Sequence, residues 1–167
     1  MSEASFVAAF GVDPRVDEGY LPELLAEAVR RQDATLVEAA LSLMFAFDLL
    51  GPRYLAVLCD LLVADWHHDH EDVARALQQL ADPAAVPALR HAAELDLPYR
   101  EYDDVRALSR KCMWALSDIR TEEAVATLEA LSHSSNNSVV RNLAAYHLAK
   151  VRNGEPPSRV SRRLRER

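Results

Sequence analysis

Hydrophobic positions along the chain recur at helical spacing. Val73, Leu77 and Leu80 form an i, i+4, i+7 stripe that stops at Asp82-Pro83. Pro83 cannot continue that helix but suits the first turn of the next, where its missing N–H is not needed. Val86 and Leu89 then open a second stripe. The same logic puts Gly51-Pro52 and Arg120-Thr121 between paired helices. The pattern predicts helices at about 20–31, 34–49, 53–65, 69–81, 84–95, 103–118, 121–133 and 138–151. No strand-like alternation competes with it.

The stripes repeat. LLGPRYLAVL (49–58), LADPAAVPAL (80–89) and IRTEEAVATL (119–128) align at spacings of 31 and then 39 residues. CMWALSDI (112–119) aligns with AAYHLAKV (144–151), 32 residues on. A period of thirty to forty residues with two helices per unit is the mark of an α-solenoid. The expected fold is all-α: an α-solenoid superhelix of about four helical hairpins, capped by helix 20–31. It fills a repeat domain over 1–154, followed by a basic tail over 155–167.

Asp82-Pro83-Ala84-Ala85-Val86-Pro87-Ala88-Leu89, together with Val105-Arg106 followed by Ala115-Leu116 and Ile119, resembles the HEAT-repeat family, in particular its short phycobilin-lyase-type repeats. The resemblance runs over roughly 34–151. It implies stacked HEAT-like hairpins used as scaffolds and binding platforms. It implies no lyase chemistry, which is not written in the repeat consensus.

Composition agrees. Half of the 167 residues are hydrophobic and only four are glycine, as a helical core requires. Net charge is −7, but residues 158–167 carry five arginines and one glutamate, so the rest of the chain stands at −11. An acidic body does not suit specific nucleic-acid binding, which needs a basic face. It suits a basic protein partner, and it also serves solubility. Cys59 and Cys112 sit in apolar helical stretches and read as small buried hydrophobes. No apolar run reaches the length of a membrane span, and the start, MSEASFVAAF, is too weak for a signal peptide; the expected location is cytoplasmic.

Two segments carry candidate chemistry. The first is WHHDHED, 66–72. Continued helical phase from Val73 and Leu77 places Trp66 in the core and His70 at its edge, with His67 and Glu71 flanking and His68 toward solvent. The second is the insertion that lengthens one repeat spacing, LDLPYREYDD, with Tyr99, Glu101, Tyr102, Asp103 and Asp104. Insertions in solenoids map to one face, and tyrosines anchor interfaces. Asp103 and Asp104 equally suit the cap of the following helix. One repeat apart, the two segments form a candidate binding surface of His67, His68, Glu71, Tyr99, Glu101, Tyr102, Asp103 and Asp104.

No metal or cofactor is expected. If a metal bound at all, His67, His70 and Glu71 would be its ligands, although a true site needs more donors and a second shell. His70-Glu71 resembles the His-Glu dipeptides of HEAT-like deoxyhypusine hydroxylases, which hold two irons. Here no second such dipeptide exists, and Ser109-Arg110 stand at the equivalent place. DNA-glycosylase-like helical repeats line their concave face with arginine and lysine, and this chain does not. No serine elbow or Gly-rich loop supports nucleophilic chemistry. The expectation is a non-enzymatic protein–protein interaction module; an immunity-type protein neutralising a basic toxin, and a metal-dependent enzyme on the same scaffold, are the alternatives.

Overall fold

The computed structural model describes residue 11, residues 13–97, residue 99 and residues 106–158. Among these residues the chain is all-helical, with eight α-helices and no strand. They are α1 (Tyr20–Arg31), α2 (Ala34–Ala46), α3 (Leu55–Val63), α4 (His70–Leu80), α5 (Val86–Ala92), α6 (Ala107–Ile119), α7 (Glu122–Ser134) and α8 (Ser138–Arg152). None is long and apolar enough to cross a membrane.

The helices stack in two layers. α4 packs on α6 and α6 on α8; behind them α3 packs on α5 and α5 on α7. α3 also touches α4, α5 touches α6 and α7 touches α8, so each layer buries the other. The stripe expected from sequence supplies the core: Val73, Leu77, Val86, Leu89, Cys112, Leu116 and Leu128 are all at or below 1 % exposure. Within the first layer the register is parallel, because Glu71 meets Lys111 at 3.8 Å and Gln78 meets Asp118 at 2.9 Å, both forty residues apart.

Turn chemistry explains the boundaries. Pro52–Tyr54 and Pro83–Ala85 form 3-10 turns that lead into α3 and α5. The Asp82 carboxylate accepts the Ala84 N–H at 2.9 Å. Ala81 and Arg120 take left-handed φ, at +47° and +62°, as the C-caps of α4 and α6, and Asp48, one residue past the C-cap of α2, does so at +55°. The last helix, whose sequence also offers Ser138 at its start, is capped by Asn137, whose side chain accepts the N–H groups of Val139 and Val140 at 2.8 and 3.3 Å. Asn137→Ala should therefore cost about 1 kcal/mol, read as a lower urea midpoint, whereas Ser138→Ala should change it little.

The largest difference from the sequence reading lies at 64–69. These residues are not helical; α4 starts at His70, with Asp69 at its N-cap. Extending helical phase back to Trp66 was therefore wrong. Trp66 is half-buried and packs against the core, while His67, expected on a flank, is fully buried.

Candidate functional site

The loop before α4 is organised by two histidines, both at 0 % exposure. The His67 Nε2 faces the Leu61 carbonyl at 2.7 Å, and a carbonyl only accepts, so Nε2 carries the proton. Its Nδ1 then accepts the Asp69 N–H at 3.0 Å. His70 repeats the arrangement, with Nε2 on the Ala64 carbonyl at 2.6 Å. The two imidazoles stack 4.3 Å apart, with Trp66 edge-on to His67 at 5.2 Å. The pair thus holds the C-terminal end of α3: His70 meets the Ala64 carbonyl, and His67 meets the Leu61 carbonyl, which also accepts the Ala64 N–H. Burial pushes His67 below the usual imidazole range, outweighing the Leu61 carbonyl and the Asp69 carboxylate 4.0 Å away. Burial raises Asp69 in turn.

Tyr99 joins this loop from the insertion. Its hydroxyl lies 2.8 Å from His70 Nδ1 and 3.4 Å from the His68 carbonyl, and its ring sits 4.3 Å from the His68 ring. The structure thus brings together His68, His70 and Tyr99, with Glu71 beside them, paired to Lys111. His68 and Tyr99 face solvent, Glu71 is half-buried, and His67 is a buried support rather than a contact residue. Glu101, Tyr102, Asp103 and Asp104 lie outside the described residues.

For the conditional metal set, both imidazoles direct Nε2 at main-chain carbonyls and Glu71 is ion-paired to Lys111. Among the described residues no group of three or more His, Cys, Asp or Glu is arranged to hold a metal ion. Cys112 is wholly buried, and burial pushes its thiol up to about 12, so it holds no ready thiolate.

Sequence reasoning missed two arrangements. His147 on α8 is buried, with Nδ1 3.1 Å from Ser117 Oγ on α6. Because that hydroxyl donates to the Trp114 carbonyl, Nδ1 is the donor. The second is a groove of about 730 Å³ between α5 and α7, walled by Pro87, Arg90, Glu94, Glu123, Ala126 and Ala130. Neither has a local signal, since each needs helices from different repeats.

The structural repeat α4–turn–α5, closed by Asp82-Pro83, can now be set against known families. Residues 71–94 match the family model of the PBS lyase HEAT-like repeat. The match takes in α4 from its second residue, the 3-10 turn and α5, and so coincides with one hairpin of the two-layer stack. The resemblance seen in the sequence at Asp82–Leu89 falls inside this HEAT-like repeat. No curated protein and no solved structure gives a significant match to the chain.

Proposed function

We propose that this protein is a non-enzymatic α-solenoid scaffold of about four HEAT-like hairpins, which binds another protein at the surface formed by His68, Glu71 and Tyr99. The observation that carries the reading is the contact of Tyr99 with His68 and His70. It unites the two segments in one patch, with one aromatic ring exposed and its hydroxyl anchored. A tyrosine held in place from behind loses little entropy on binding, which is what interface anchors require. The charge of the body supports a basic partner, reached through electrostatic steering. A cytoplasmic setting fits the same reading.

The test uses tagged protein in extract from the source cells, with quantitative recovery of retained proteins. A protein held by the wild type and by a remote Arg152→Ala variant should be lost with His68→Ala/Tyr99→Ala. Loss of one anchor costs about 2 kcal/mol, roughly 30-fold in affinity. Equal retention by all three would overturn the proposed surface. Circular dichroism of the double variant shows that the fold is kept.

A further inference from the structure

The chain does not leave the stack where α8 ends. After Asn153-Gly154 it turns back, and Glu155 to Ser158 lie against the C-terminal ends of α8, α6 and α4. The Glu155 N–H donates to the Lys150 carbonyl at 3.1 Å. The Lys150 ammonium, 4.5 Å over the Trp114 ring, meets the Glu155 carboxylate at 3.5 Å. Arg120, the C-cap of α6, donates to the Glu155 carbonyl. Three residues on, the Ser158 N–H donates to Asp118 Oδ1 at 2.8 Å and its hydroxyl donates to Oδ2. Gln78 Nε2 donates to Asp118 Oδ2 at 2.9 Å and to Ser158 Oγ at 3.0 Å.

These contacts read the segment rather than merely bury it. Asp118 is 1 % exposed and Gln78 8 %. A carboxylate at that depth needs hydrogen-bond donors, and Ser158 supplies two. A main-chain N–H beside a hydroxyl on the same short side chain is what serine or threonine presents. The Ser158 Oγ is used in both directions, donating to Asp118 and accepting from Gln78, so an alanine would strip a hydrogen bond from each. Between the two anchor points Pro156-Pro157 fix φ at about −65°, which lowers the entropy lost when the segment is seated.

The segment is also placed to leave. Glu155 and Pro156 are exposed and Pro157 and Ser158 half-buried, so it can lift off without unwinding a helix. It does not use every donor of its seat, since the buried Arg120 Nε has no hydrogen-bond partner among the described residues. We propose that Gln78, Asp118 and Arg120 form a binding site for a Pro-Pro-Ser segment, filled by the chain's own Pro156–Ser158, and that a partner protein carrying such a segment binds by displacing it. The site lies apart from the His68–Tyr99 surface: Glu71 and Gln78 stand two turns apart on α4, about 10 Å along its axis.

The test titrates the blocked peptide Gly-Glu-Pro-Pro-Ser-Arg into three isotope-labelled full-length proteins: the wild type, Ser158→Ala and Pro156→Gly/Pro157→Gly. In Ser158→Ala the amides of Gln78, Asp118 and Arg120 should shift. In the wild type the same shifts should need about 10-fold more peptide, because the tethered segment competes at an effective concentration on the order of 1 mM. The double glycine variant loosens the segment, leaves the seat intact, and should fall between them. A peptide with alanine in place of serine should shift none of the three amides. No shift at these amides in either variant, equal titration of all three proteins, or equal shifts with the alanine peptide would overturn the proposal. So would shifts confined to the His68–Tyr99 surface or to the α5–α7 groove.

Discussion

Acidification from pH 6.5 towards pH 4 will destabilise this protein before most of its carboxylates titrate. Burial, reinforced by Lys150, pulls His147 down from 6.5 to about 4, against the smaller opposing pull of Asp118. The unfolded chain takes up a proton near 6.5 while the folded chain refuses it until about 4. Stability contributed by the neutral ring is therefore complete above 6.5 and lost as the pH falls through that window, on the order of 3 kcal/mol in all. His67, depressed by its own burial, acts with the same sign. Asp69, raised by burial, acts oppositely, because the folded state protonates it first. Urea midpoints measured across this range should fall steadily in the wild type and much less in His147→Leu. Parallel slopes in the two proteins would show that His147 is not the group refusing the proton.

Leu116→Ala should be the most damaging single truncation. Leu116 is fully buried on α6, the one helix that packs on α4, α5, α7 and α8 together. Removing three carbons from a fully buried side chain there leaves a cavity in a helix clamped by its neighbours, which limits collapse around it. The cost should be about 2–5 kcal/mol, a fall in Tm on the order of 10 °C at this chain length. Val16→Ala, at a residue 83 % exposed, should stay within about 0.5 kcal/mol. Thermal melts of both variants check the contrast.

Helix positions were legible because periodicity is a local property. Among the described residues eight helices lie within a few residues of where the stripes, Gly-Pro and Asp-Pro signals placed them, the latest start being Ala107 where 103 was expected, and Ala81 and Arg120, 39 residues apart like Leu80 and Ile119, close α4 and α6 with left-handed φ. Local phase failed where the chain stopped being helical. Nothing in WHHDHED announces that residues 64–69 form a loop, because its histidines are satisfied by carbonyls at the end of α3. His67 was therefore assigned to a flank when it is a buried bracket.

Helical class, the Asp82-Pro83 hairpin, the core stripe and the charge imbalance between body and tail can all be read along the chain. Each is set by residues close together along the chain. Which polar groups meet depends on the packing of the helices. Tyr99 on His68 and His70, Lys111 on Glu71, and Ser158 on Asp118 and Gln78 join residues 29 to 80 positions apart. A polar side chain carries no periodic signal of its partner. Its role is fixed only when packing of the apolar stripes brings separate repeats into register.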